Sequence, residues 1–309
     1  MRKLIKDLFY FSLLSIVIYI TLVVISGQFL PGPLSKNLIY KKSIGFADLR
    51  FNEADKINNI DVLVLGSSLA YRGYDPRIFQ ENGFKIFNLG SSSQSFVQTK
   101  FLIDNFLETI NPKFVILDVY PRQFENSGIE SSADIISNIS LNSNILKMVL
   151  QQNDLRTYNT FIFSFYNQYI RSNIEYKSPN LKTDLYIPGG YIENITVNEK
   201  SVNIKDDFID VRADQMKAFE SIISIFKERK LKYILVQSPQ TINKKKSYVN
   251  LNYFDSLFFE YGNYINFNKS LDLKDELFLD DNHLNQQGVN IYNRILLDSL
   301  KKYPNLLFE

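Results

Sequence analysis

Apolar positions follow three different rhythms along this chain, and each predicts a different element. The first is an unbroken run: residues 8–25 (LFYFSLLSIVIYITLVVI) carry no charge. Eighteen helical residues span roughly 27 Å, close to the hydrocarbon thickness of a bilayer. Arg2, Lys3 and Lys6 precede the run, which favours leaving that end in the cytoplasm and the rest of the chain outside. The pattern predicts a cytoplasmic tip and transmembrane anchor over 1–30, closed by the helix-breaking Pro31-Gly32-Pro33. A cleaved signal peptide is the competing expectation; its apolar region is usually shorter, about 7–15 residues, and ISGQFLPGP offers no clear cleavage signature. A buried helix of a soluble protein is the third.

The second rhythm is short apolar runs: DVLVLG (61–66), FKIFNLG (84–90), KFVILDVY (113–120), KYILVQSP (232–239) and YINFN (264–268). Their length and flanking turn residues predict buried strands. The third rhythm is helical spacing, as in 94–110, where Phe96, Val97, Phe101, Ile103, Phe106, Leu107 and Ile110 share one side, and again in 212–230 and 285–302. A turn and helix are expected after Ser68. Strands alternating with helices predict an α/β, three-layer sandwich around a mostly parallel five-stranded sheet. Ligands of such sheets bind beyond the carboxyl ends of the strands, which draws attention to Ser67, Ser68, Gly90, Ser91, Asp118, Tyr120, Gln237 and Ser238.

Residues 31–59 are mixed and polar and read as a juxtamembrane linker to a domain over 60–309. Residues 122–211 interrupt the strand–helix rhythm. Their first part (129–175) has a helical pattern, whereas 176–211 contains YIPGGYI and the alternating ITVNEKSVNI, which suggest a hairpin. The whole reads as an insertion above the carboxyl edge of the sheet, a candidate lid or substrate platform.

Composition narrows the chemistry. A net charge of +2 over 309 residues is too balanced for a protein that binds nucleic acid by neutralising phosphates. The absence of cysteine excludes disulfides, zinc–thiolate sites, an acylated lipoprotein cysteine and thiol catalysis. An exported domain without cysteine points to a bacterial envelope. The single histidine, His283, excludes a multi-histidine metal site, so any histidine-dependent mechanism uses that residue. The 25 Phe and 19 Tyr are read first as core. The N-x-S/T triplets at Asn138, Asn194 and Asn268 are read as chance in an Asn-rich chain.

Two stretches carry candidate chemistry. In VLVLGSSLAYRG (62–73) a Gly-Ser-Ser turn between strand and helix lifts a hydroxyl to the sheet edge, beside unpaired helix N–H groups. The same residues also make an ordinary loop and N-cap. In FLDDNHLNQQG (278–288) a carboxylate three residues before the histidine can accept the Nδ1 proton and fix the tautomer. The alternative is a capping loop with an exposed histidine.

Taken together, the two stretches resemble the SGNH (GDSL-like) hydrolase superfamily, in order and approximate separation, over residues 60–300. The G-D-S block maps onto Gly66-Ser67-Ser68, the glycine of the second block onto Gly90, and D-x-x-H onto Asp280 and His283. The resemblance implies an SGNH/flavodoxin-like fold and a catalytic Ser68, His283 and Asp280. Backbone oxyanion donors would come from Ser68 and Gly90, with Ser67, Ser91, Asp118, Tyr120 and Asn282 as further cleft candidates, and neither metal nor cofactor is needed. Ser67 stands in place of the usual aspartate, a change also seen in envelope branches of the superfamily. The third block (G-x-N-D) has no counterpart: the strand ends Leu117-Asp118-Val119-Tyr120-Pro121, without the asparagine that helps bind the oxyanion. A membrane-tethered domain of this kind looks like the accessory proteins of polysaccharide or peptidoglycan O-acetylation and teichoic acid D-alanylation. The expected function is therefore a serine esterase or O-acyltransferase, single-pass in a bacterial cell membrane with its domain outside. Its partners would be the membrane, a carbohydrate or acylated glycan, and a membrane-bound acyl donor protein. The other reading is a non-catalytic glycan-binding or scaffolding protein of the same fold.

Overall fold

The computed structural model describes residues 1–30, 32–171, 183–194 and 205–303. Strands β1 (Val62–Leu65), β2 (Ile86–Asn88) and β3 (Phe114–Asp118) are followed by a hairpin of β4 (Asp184–Ile187) and β5 (Tyr191–Asn194), then by β6 (Lys232–Gln237) and β7 (Tyr264–Asn266). Five of them form one sheet in the order β2-β1-β3-β6-β7, with every pairing parallel. The expected α/β sandwich is present, and its sheet is wholly parallel.

The strands read as continuous apolar runs because both faces of the sheet are covered. Leu63, Leu65, Val115, Leu117 and Leu235 share a core with the helices Phe96–Ile110, Ala213–Glu228 and Leu251–Tyr261. Their neighbours Val62, Val64, Phe114, Ile116, Ile234 and Val236 point the other way, onto Tyr292, Leu296 and Leu297 of the closing helix Gln286–Leu300. Each fully buried aliphatic side chain contributes roughly 1.5–3 kcal/mol, so a one-residue slip in register would forfeit both cores at once. The chain leaves β1 for β2 on one side and returns to β3 on the other. That reversal puts the ligand crevice of a doubly wound sheet beyond the carboxyl end of β1.

The fold departs from the sequence reading in three places. The linker 31–59 contains a helix, Ala47–Ala54, whose buried face is Ala47, Arg50, Phe51 and Ala54; an arginine on that face hid the apolar pattern. The last strand stops at Asn266, because the Asn266 carboxamide accepts the Asn268 N–H at 2.9 Å and starts a helical turn, Phe267–Ser270. The helices Ile242–Ser247 and Leu251–Tyr261 were not anticipated.

Within the insertion, helices Ile129–Asn138, Ser143–Gln152 and Leu155–Phe165 run into a π-helical turn, Tyr166–Ile170. They pack beside the sheet, against Ala47–Ala54 and Phe96–Ile110. The YIPGGYI stretch makes the hairpin, with Gly189 and Gly190 at φ +102° and +78°. Gly189 C=O accepts the Asn88 N–H at 2.8 Å, which seats the hairpin on the carboxyl end of β2. The alternating residues 195–204 lie outside the described residues. At the N-terminus, Arg2–Phe29 forms one helix, long and apolar enough to cross a bilayer, with mean hydropathy 2.6 over its best window. Its C-terminal part rests on Leu155–Phe165: Gly27 faces the Phe163 ring and the Gln28 amide donates to Tyr166 Oη at 2.8 Å.

Candidate active site

The turn after β1 is built by close backbone approach. Gly66 has φ +153°, and a Cβ there would lie 2.9 Å from Asp118 Cβ and 3.0 Å from Asp118 O. Ser67 then caps the short helix Ser68–Gly73, its Oγ accepting the Leu69 N–H at 3.3 Å. Ser68, first in the helix, presents its hydroxyl at the sheet edge.

His283 arrives from a pinned loop. Leu279 N–H donates to His283 O at 2.7 Å and Asn285 N–H to Leu277 O at 2.9 Å. Asn285 Oδ1 caps the closing helix by accepting the Gly288 N–H at 3.0 Å. Asp280 Oδ1 accepts the N–H groups of Asn282 (2.7 Å) and His283 (2.9 Å), an Asx-type turn that holds the carboxylate against the ring. Asp280 Oδ2 then lies 2.7 Å from His283 Nδ1, and His283 Nε2 lies 2.8 Å from Ser68 Oγ. The three side chains form one hydrogen-bonded chain from carboxylate to hydroxyl. Burial pushes the Asp280 carboxyl upward, but its hydrogen bond and charge interaction with His283, with the two backbone donors, bring it down to about 2. Ionised at neutral pH, it accepts Nδ1–H and leaves Nε2 as the acceptor for the serine proton.

Gly90 packs directly on this turn: a Cβ would sit 2.7 Å from Ser67 O and 3.0 Å from Gly66 O. Only glycine permits that approach. In the loop that follows, Ser92 and Ser93 hydroxyls donate to Glu130 at 3.1 and 2.9 Å, and Ser93 adopts φ +51°. A cleft of about 360 Å³ opens here, lined by Ser68, Asp280 and His283 together with Tyr71, Arg72, Ser92, Ser93, Asn194 and Leu279. Arg72 binds Asp184 of β4 through both terminal nitrogens, at 3.3 and 2.7 Å, so the hairpin forms one wall. Sequence reasoning missed these lining residues, because their place in the cleft depends on contacts with distant segments such as Asp184 and Glu130. Tyr71 and Arg72, one turn beyond Ser68, had a readable signal.

Several expected cleft residues lie elsewhere. Ser91 is fully buried and bonds Gln94 (2.8 Å) and Ser131 (2.5 Å). Ser67 is likewise buried and serves the helix cap. Asp118 is fully buried beneath the turn, accepting hydrogen bonds from Tyr74 Oη at 2.6 Å and from Ser238 Oγ; Tyr292 Oη completes the cluster with a 3.0 Å bond to Tyr74 Oη. Burial raises the Asp118 carboxyl to about 7 against the pull of those hydroxyls, and its Oδ1 has no partner. The reason is geometric: strand alternation turns Asp118 into the core. Tyr120 is half-buried beside Ser67, its phenol raised by burial. Asn282 sits at the rim next to His283, its Oδ1 accepting from Gln240 Nε2 at 2.8 Å. Among the described residues no cluster of His, Asp and Glu suits a metal ion.

No family model matches this sequence, and no curated protein matches it significantly. Among solved structures it is similar to a proposed acylhydrolase from Bacteroides fragilis, with 11% identity, 84% of this chain and 98% of that one covered, and a TM-score of 0.41. It is also similar to a GDSL-like lipase from Bacteroides thetaiotaomicron, with 12% identity, 82% and 95% covered, and a TM-score of 0.40. A gut microbial diltiazem-metabolizing enzyme has 12% identity and a TM-score of 0.40, over 80% of this chain and 48% of that one. At such identities the likeness concerns the fold alone.

Proposed function

We propose that this chain is a serine esterase or O-acyltransferase, anchored by its N-terminal helix in a bacterial cell membrane and acting outside it on an envelope or exported glycan. One observation carries the reading: the unbroken chain Asp280–His283–Ser68, with contacts of 2.7 and 2.8 Å, beyond the carboxyl end of β1. Ser68 Oγ attacks an ester carbonyl while His283 Nε2 takes its proton, and Asp280 stabilises the imidazolium. The tetrahedral oxyanion is held by the N–H groups of Ser68 and Gly90. His283 returns the proton to the leaving alcohol, and the acyl group stays on Ser68. Water or a sugar hydroxyl, deprotonated by His283, then attacks the acyl-enzyme and releases the serine. A cleft walled by Tyr71, Arg72, Ser92, Ser93 and Asn194 suits a hydroxylated ligand. Anchoring rests on the apolar helix and on the cations that precede it.

Turnover of a soluble aryl ester, with and without an oligosaccharide acceptor, tests the proposal by mass spectrometry of the products. Wild-type protein is expected to cleave the ester and Ser68→Ala to lose that activity. Acyl groups on the oligosaccharide identify a transferase, and free acid alone identifies a hydrolase. Glycan binding without ester turnover would instead identify a non-catalytic binding or scaffolding module. The burial of Asp118, where the resemblance leads one to expect a side-chain oxyanion donor, favours that second reading.

A further inference from the structure

Arg50 is the most unusual charge in the described structure. It is 1% exposed, and among the described residues no carboxylate lies within ion-pair distance of it. Its guanidinium instead donates to three main-chain carbonyls, Gly45 O (3.1 Å), Gly90 O (3.0 Å) and Gly190 O (3.3 Å). Its plane lies over the Tyr71 ring, 4.3 Å from the centroid. A buried cation without a carboxylate in direct contact costs several kcal/mol unless its environment is arranged for it. Here four segments converge on one: the linker (Gly45), the loop after β2 (Gly90), the hairpin (Gly190) and the helix that begins with Ser68 (Tyr71).

The consequences fall on the oxyanion site. Gly90 belongs to a glycine turn that is conformationally permissive and has to hold one orientation for its N–H to meet the oxyanion. Its far side is fixed by packing on Ser67 O and Gly66 O; its own carbonyl is fixed by Arg50. Asp118, at the end of β3, is turned inward and offers this region no side-chain donor. A fixed positive charge near main-chain donors strengthens their pull on developing negative charge.

We propose that Arg50 is the positioning residue of the oxyanion site, clamping the Gly90 carbonyl and supplying the fixed positive charge that the end of β3 does not. The inference rests on the esterase or acyltransferase reading. Arg50→Lys keeps the charge but cannot span three carbonyls, and Arg50→Met removes the charge while keeping much of the volume. Each full-length variant is compared with wild type in circular dichroism, thermal unfolding, labelling of Ser68 by a fluorophosphonate, and kcat and KM for an aryl ester.

The expected result is folded Arg50→Lys protein in which labelling and kcat fall about 10²-fold while KM changes less than threefold. Arg50→Met is expected to fall further. A purely structural role would lower the folded fraction and the apparent kcat in proportion, leaving kcat per folded molecule at the wild-type value. A folded variant that labels and turns over at the wild-type rate overturns the assignment while leaving the enzymatic reading intact. Failure of both variants to fold also overturns it, in favour of a structural role. Wild-type protein that is never labelled and hydrolyses no ester overturns both.

Discussion

His283 Nε2 lies 2.8 Å from Ser68 Oγ, although 215 positions separate them in sequence. One residue opens the first helix after β1; the other sits in the loop before the closing helix, and the parallel sheet brings the two ends together.

Asp280→Asn leaves the size of the side chain unchanged but replaces an acceptor-only group with one that can offer N–H to Nδ1 and favour the wrong tautomer. Ester turnover is expected to fall roughly 10³-fold in a variant that still folds at neutral pH. A variant with full activity would remove Asp280 from the chain.

Acid stability reports on the same carboxylate. Its folded value of about 2 lies below the ordinary 3.8, so its contribution to stability is complete above about pH 4 and is lost as pH falls through about 2. Denaturant unfolding of wild type and Asp280→Asn is expected to differ at pH 6 and to converge as the pH approaches 2.

Asp118 has the opposite sign. Burial raises it to about 7, so the folded protein holds a proton that the unfolded chain releases near pH 4, and stability drains away as pH rises from about 4 to 7. Asp118→Asn mimics the protonated group. Its Tm advantage over wild type is expected to widen across that interval and level off above it, reaching roughly 5 °C by pH 8. Asp134, also raised to about 7, is present in both proteins and cancels in the comparison.

Gly90→Ala forces a methyl group to within 2.7 Å of Ser67 O, a backbone atom that cannot swing away. The variant is expected to lose about 1–3 kcal/mol of stability and about 10²-fold in activity. Gly73→Ala, where a Cβ meets nothing within 4 Å, serves as the control and is expected to leave both unchanged.

Much of this was legible in sequence because the signals were local. Five apolar runs became five parallel strands because each is buried on both faces, and a Gly-Ser-Ser turn with a D-x-x-H loop needs only short-range geometry to take shape. What could not be read depends on distant partners. Arg50 interrupts an otherwise apolar helix face, so the helix was mistaken for linker. Asp118 ends β3 and Ser91 follows β2 near the expected edge, yet the neighbouring Tyr74, Ser238 and Ser131 hold them inward. Arg72, Ser92 and Ser93 acquire their place in the cleft only through Asp184 and Glu130 in the insertion.

The most direct measurement is covalent labelling of the intact chain by a fluorophosphonate, mapped by peptide mass spectrometry. A single adduct on Ser68 is expected, abolished in Ser68→Ala and slowed at least about 10²-fold in His283→Ala. An unlabelled wild-type protein, or an adduct on another serine that persists in Ser68→Ala, would contradict it.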